Sequence, residues 1–373
     1  MNNITINKTG WKKYKFGEVA IQTREVVDVE NTNLTRYVAG EHMISEDIHL
    51  RKWGNVGDGY LGPAFIRRFS MGDILYGSRR TYLKKVALAD FDGITANTTF
   101  VIKANEKLIE PILLVHLMLS HEFTEYSIKN SRGSVNPYIN WKDIADFEFL
   151  LPPKSEQKRL AELLWAADEM IEKEKKELER IKYMRELYFE NKTSKKSNAK
   201  LKDCLITLKK KSKAPHQYDK YIGLEHIESG TFTTDSFGNP KEVLADSFIF
   251  KQGDLLYSKL RPYLDKCIIA NFDGISTTEL IVYDTTPIVS KEYILHVLHS
   301  KKFLDYIVDK SFGTKMPRVS HEIIAEYELY IPSPNEQAIL LKEMSKIVLQ
   351  ENNITKQILL SQQLKQELIN KIL

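Results

Sequence analysis

Two stretches of this chain are copies of one another. Gly72–Lys103 reads GDILYGSRRTYLKKVALADFDGITANTTFVIK, and Gly253–Tyr283 reads GDLLYSKLRPYLDKCIIANFDGISTTELIVY. With Gly72 set on Gly253, an offset of 181, 13 of 24 positions from 72–95 and 253–276 are identical without a gap. A duplication constrains the fold tightly, because what one copy forms the other must form. The likeness extends on both sides. RYVAGEHM at 36–43 faces KYIGLEHI at 220–227, SRGSVNPYIN at 131–140 faces SFGTKMPRVS at 311–320, and FEFLLPP at 147–153 faces YELYIPS at 327–333. Residues 45–66 and 229–247 diverge, so they are either tolerant loops or places where each copy acts differently.

Each copy reads as a small β-rich unit followed by helix. Gly72–Leu75 and Gly253–Leu256 are turn-then-strand patterns, and Asp92-Gly93 and Asp273-Gly274 are turns leading into strand-like runs. Residues 108–129 and 290–310 carry helical periodicity. After the proline at the end of each copy the character changes. Ser155–Glu190 contains neither Gly nor Pro and is rich in strong helix formers. Leu160, Leu164, Ala167, Ile171, Leu178 and Ile181 form an apolar stripe that the charged Glu174 interrupts. Asn335–Leu373 repeats the pattern with Leu340, Met344, Ile347, Ile354, Ile358 and Leu368.

The expected architecture is α/β. Two repeated globular domains of mixed α/β type span 1–154 and 201–334. Long helices follow at 155–190 and 335–373, with a polar linker at 191–200. A lone helix would leave its stripe wet, so the two pair as an antiparallel coiled coil. Thirty-six helical residues are about 54 Å long, roughly 15 base pairs of DNA.

Composition narrows the function classes. At 373 residues, 42% hydrophobic and 28% charged, the chain is globular and long enough for several domains. Net charge is only +4, so no basic excess announces a nucleic-acid partner. Two cysteines, Cys204 and Cys267, give no disulfide framework, and a reducing, cytoplasmic setting is expected. The N-terminal stretch does not read as a signal peptide, and no apolar run is long enough for a bilayer.

No catalytic set emerges. Asn136-Pro137-Tyr138 lacks the second proline of an amino-methyltransferase tetrapeptide, and Met316-Pro317-Arg318 replaces it in the other copy. No phosphate-binding Gly-rich loop with Lys-Ser/Thr is present. Asp92 and Asp273 sit beside glycine and read as turn formers. Basic and aromatic residues are more suggestive. Tyr76, Arg79, Arg80, Tyr82, Lys84 and Lys85 cluster in one copy, and Tyr257, Lys259, Arg261, Tyr263 and Lys266 in the other. Arg132, Lys315 and Arg318 in the later turn form a second set. Lys and Arg bind phosphates, and Arg reads guanine edges. The competing reading is a solvated strand–turn surface with structural tyrosines.

Taken in order, GDILYGSRRTYLKK and GDLLYSKLRPYLDKC, FDGITANT and FDGISTTE, SRGSVNPYI and SFGTKMPRVS, then LLPPKSEQKRLAELL and YIPSPNEQAILLKEM resemble the specificity subunit of type I restriction–modification systems. The resemblance covers essentially the whole chain. It implies a DNA-reading subunit without catalysis or cofactor of its own. Each globular unit would be a target recognition domain for one half of a split, asymmetric sequence in double-stranded DNA. The helices would set the spacing and dock two modification subunits, which carry S-adenosylmethionine and methylate adenine. Restriction subunits would add ATP- and magnesium-dependent cleavage. One departure is that Ser258-Lys259-Leu260-Arg261-Pro262 is nearer the family form than Gly77-Ser78-Arg79-Arg80-Thr81. Two other readings stay open: a two-headed protein-interaction adaptor, and an enzyme with an unrecognised carboxylate site.

Overall fold

The computed structural model describes residues 8–373; residues 1–7 of the expected first domain lie outside the described residues. The chain forms two compact units. One contains the chain up to Lys175 together with Lys356–Leu373, and the other contains Lys176–Thr355. Each holds one copy of the repeat and a stretch of both long helices.

In the first unit, an antiparallel sheet has the order Ala20–Thr23, Thr99–Ala104, Ile74–Gly77, Val86–Leu88. A second sheet has Arg36–Val38 parallel to Gly93–Ala96, with Phe65–Phe69 antiparallel on the other side. The second unit repeats both. Leu205–Leu208, Leu280–Thr285, Leu255–Ser258 and Cys267–Ile269 form one sheet, and Tyr221–Ile222 lies parallel to Gly274–Ser276 in the other. Even the registers agree, since Leu75 faces Val101 and Leu256 faces Val282. Gly93 and Gly274 keep their place for a packing reason. A Cβ at either would meet a backbone carbonyl, that of Arg36 or Lys220, at 2.8 and 2.7 Å.

The expected helices at 108–129 and 290–310 are each two helices. Pro111–Leu117 and His121–Lys129 are separated at Ser120, and Lys291–Leu298 and Lys301–Lys310 at Ser300. Each serine caps the second helix by accepting a hydrogen bond from the backbone N–H of Phe123 or Phe303, at 3.3 Å in both. Phe123 and Phe303 are fully buried at the centre of their cores.

The long helices run Lys154–Thr193 and Pro334–Ile372. A buried glutamine locks the start of each to its head. The Gln157 amide donates to the carbonyls of Leu108 and Pro152 and accepts from the Glu110 N–H, at 2.8, 3.0 and 2.9 Å. Gln337 repeats this with Ile288, Pro332 and Ser290, at 3.2, 2.9 and 3.1 Å. Removing a buried partner strands the groups it satisfied. Gln337→Ala is therefore expected to lower stability by about 1–3 kcal/mol. Hydrogen exchange at the amides of 334–340 checks this, and unchanged protection there counts against a locking role.

The helices pair antiparallel, as the numbering shows within each unit. In the first, Asp168 meets Lys365 at 2.5 Å and Glu174 meets Gln357 and Ser361 at 2.8 and 3.2 Å. In the second, Arg185 meets Glu351 at 2.7 Å. Glu174 thus does not break the stripe: it is buried in a polar layer of the seam. Leu160 and Leu164 pack with Ile369, Ile372 and Leu373 in the first head's core. Leu340 and Met344 pack with Phe189 in the second. Ile171 and Ile358 are buried, while Ala167, Leu178, Ile181, Ile347, Ile354 and Leu368 are half-buried.

Candidate nucleic-acid interface

The two candidate clusters converge in each head, because the strand that ends near residue 77 is tied to the later turn by backbone hydrogen bonds. The Arg80 N–H donates to the Pro137 carbonyl at 2.6 Å, and Ile139 donates to Ser78 at 2.9 Å. Arg132 and Tyr138 exchange both backbone bonds, at 2.8 and 2.9 Å. The second head repeats each step. Arg261 donates to Pro317 at 2.7 Å, Val319 donates to Lys259 at 2.9 Å, and Phe312 and Arg318 exchange bonds of 3.0 and 2.9 Å.

The backbone at the centre is unusual in the same way twice. Arg80 and Arg261 both have φ of +50°, and a short 3-10 turn follows at Thr81–Leu83 or Pro262–Leu264. Left-handed backbone costs a non-glycine residue about 1–2 kcal/mol, so the surrounding hydrogen bonds hold it there. The later turn needs its glycine, with φ of +88° at Gly133 and +95° at Gly313.

This frame sorts the candidates. Arg79, Arg80, Tyr82, Arg261, Tyr263 and Lys315 are exposed, and Lys259 is half-buried. Ion pairs occupy the neighbours Lys84 with Glu46, Arg132 with Asp143, and Arg318 with Glu279. Among the described residues, no acidic side chain pairs with Arg79, Arg80, Lys259, Arg261 or Lys315.

Four candidates must be reassigned. Tyr76 and Tyr257 are in the core, 2% and 3% exposed, against Phe123 and Phe303. Burial pushes both phenols above their ordinary pKa, so they stay neutral core rings rather than stacking platforms. Lys85 and Lys266, shared by the two copies, make structural bonds. Lys85 Nζ donates to the Gly40 carbonyl, and Lys266 Nζ donates to the equivalent Leu224 carbonyl at 2.7 Å. They fasten the segment around GEH or LEH to the frame. Of the exposed tip of the later turn, Ser134–Asn136 and Thr314–Met316, sequence reasoning singled out only Lys315. The glycine and proline flanking it in both copies were the available signal.

Burial shifts three titratable groups elsewhere in the heads. Burial lowers His116 to about 4. Burial, with Arg185 nearby, lowers His296 to about 3. Burial pushes the Cys204 thiol up to about 11. Asp47, His49 and Glu172 bring three possible metal ligands within 4.8 Å of one another. Arg51 bonds both carboxylates, Lys175 lies 3.1 Å from Glu172, and His49 is bonded to Asp168. Cations already neutralise this set, which makes it an ion network rather than a fitting cation site.

A duplicated frame thus presents an arginine without an acidic partner on a turn in each unit. Comparison with known proteins adds the following. A family model described as the type I restriction modification DNA specificity domain matches residues 8–183. The chain is 24% identical over 299 residues to the type I restriction enzyme EcoDI specificity subunit of Escherichia coli, covering 67% of each. It is 26% identical over 168 residues to the HindI specificity subunit of Haemophilus influenzae, covering 43% of this chain and 36% of that one. A chain from a structure on complex assembly and conformational transition of the type I system has a TM-score of 0.57 at 17% identity, covering 98% of this chain and 97% of that one. The type I S subunit from M. genitalium has a TM-score of 0.51 at 14% identity, covering 100% and 97%. Residues 8–183 are thus similar to a type I restriction–modification DNA specificity domain, the chain is similar to specificity subunits of such systems, and it shares the fold of the solved ones. The adaptor and enzyme readings are not favoured.

Proposed function

We propose that residues 1–154 and 201–334 are two target recognition domains, each reading one half of a bipartite, asymmetric sequence in double-stranded DNA. The observation that carries this reading is the frame itself, built twice, with Arg80 and Arg261 unpaired at its centre. Unpaired guanidinium groups held on a rigid turn suit phosphate or base-edge contact, since no internal carboxylate must be displaced first. Arg79, Lys259, Lys315, Tyr82 and Tyr263 join them as candidate contacts.

The long helices serve as spacer and as docking surface for two modification subunits. Those subunits supply S-adenosylmethionine and methylate adenine, and restriction subunits supply ATP- and magnesium-dependent cleavage. This chain contributes recognition and positioning, in the cytoplasm. Among its described residues no helix is long and apolar enough to cross a membrane.

The test is methylation-site mapping in a host expressing this chain with a modification subunit. Exchanging residues 1–154 for those of a relative should change one half of the methylated motif and leave the other. Adding two helical turns to both long helices should lengthen the unspecified gap without changing either half. An unchanged motif after the exchange would remove residues 1–154 from recognition. Altered bases after the insertion would remove the spacer role.

A further inference from the structure

We propose that each head divides its DNA contacts between a common clamp and an exchangeable reading tip. The tip is Ser134-Val135-Asn136 in the first head and Thr314-Lys315-Met316 in the second. The inference rests on the reading of the heads as half-site readers, and it assigns which residues carry the difference between the halves.

Two heads that read different bases cannot draw that difference from what they share. Arg80 and Arg261 share residue type, φ, exposure and backbone partner, and Tyr82 and Tyr263 share exposure at the same step of the turn. Groups held alike suit what every DNA sequence shares, the phosphate backbone. The tip has the opposite character. Gly133 and Pro137 frame it in one head, Gly313 and Pro317 in the other, and all three intervening residues differ. All six side chains are exposed.

The tip is also held in place. The Arg132–Tyr138 and Phe312–Arg318 backbone pairs close it from below, and Pro137 or Pro317 accepts the N–H of the clamp arginine. Clamp and tip therefore move as one piece, and a clamp resting on phosphate would present the tip at a fixed place in a groove. The other divergent stretches, 45–66 and 229–247, differ in length, so they offer no matched position at which to exchange single residues between the heads.

The chemistry of the tips matches base edges. Val135 is 88% exposed, which no packing contact explains. An apolar side chain there fits the thymine methyl group, and the Asn136 amide fits adenine. In the second head Lys315 fits the guanine acceptors, beside the exposed apolar Met316.

The experiment uses the full chain with its modification subunit. Ser134→Thr, Val135→Lys and Asn136→Met together place the second tip in the first head. The methylated motif should change only in the first head's half, with roughly tenfold or greater loss of discrimination at a base the tip contacts. Arg80→Ala should weaken cognate and unrelated DNA alike and reduce the salt dependence of log K by about one unit of slope. Val135→Lys alone provides a second variant if the triple exchange fails to fold. A motif unchanged by the tip variants overturns the proposal, as does a change of bases caused by Arg80→Ala. A wild-type chain that bound no specific sequence with its partner would instead strike the half-site reading itself.

Discussion

Arg185→Leu is expected to destabilise the unit formed by Lys176–Thr355 by about 3–5 kcal/mol, while Arg185→Leu with Glu351→Leu is expected to be close to wild type. The pair is 2.7 Å apart, with both side chains less than a tenth exposed. The Arg185 guanidinium also lies over the Phe232 ring, 5.0 Å from its centroid. Removing the arginine leaves the Glu351 carboxylate in the seam without its counter-charge, and desolvation then dominates. Removing both leaves two apolar side chains where the helices already pack, which such sites tolerate. Hydrogen exchange read within 176–355 gives the local opening free energy of the unit, which need not unfold together with the rest of the chain. A double variant as unstable as the single would show that the pair acts through something besides charge compensation. Stable but disordered helix register in the double variant would assign the pair a role in specifying alignment.

The buried polar layers also mark where the sequence was hard to read. The duplication, the β-rich heads and both long helices follow from local pattern: repeated Asp-Gly turns, runs without Gly or Pro, and 3–4 spacing of Leu and Ile. Glu174 looked like a fault in the stripe because periodicity counts apolar residues, and its partners Gln357 and Ser361 are more than 180 residues away. The breaks at Ser120 and Ser300 were hidden for the opposite reason. Apolar spacing continues across them, and only the capping bond shows that the helix restarts.

The candidate site was half legible. Repeated basic residues pointed to segments that the fold brings together, but repetition does not separate an exposed side chain from a duplicated structural bond. Lys85 and Lys266 fasten a loop, and Tyr76 and Tyr257 fill cores. Exposure in the folded chain makes that distinction, and it is a long-range property.

The second large effect is expected in the first unit at Asp168. This carboxylate is 4% exposed and accepts from Lys365 and His49, each at 2.5 Å. Asp168→Ala leaves the Lys365 ammonium buried without its partner, and the expected cost is about 3–5 kcal/mol. The same network gives a pH dependence with a definite sign. Burial opposes the Asp168 charge, but the bonds from His49 and Lys365 outweigh it and hold the carboxyl far below its ordinary range. That contribution is present above the ordinary carboxyl pKa and is lost only as pH falls through the depressed value. His49 moves upward, because its bond to Asp168 favours the charged ring over burial. Its contribution is complete below the ordinary histidine pKa and disappears as pH rises through the raised one. Asp47 and Glu172 face the ring from the loop and from the helix, and Arg51 and Lys175 partly offset them. The first unit should therefore be most stable on the mildly acidic side and weaken toward alkaline pH. Because His49 is a third exposed, solvent screens this term and keeps it smaller than the Asp168 effect. Hydrogen exchange at 160–175 and 356–370, followed against pH with the intrinsic rate divided out, should show the decline in the wild type and not in His49→Gln. An identical pH profile in that variant would assign the dependence to another group.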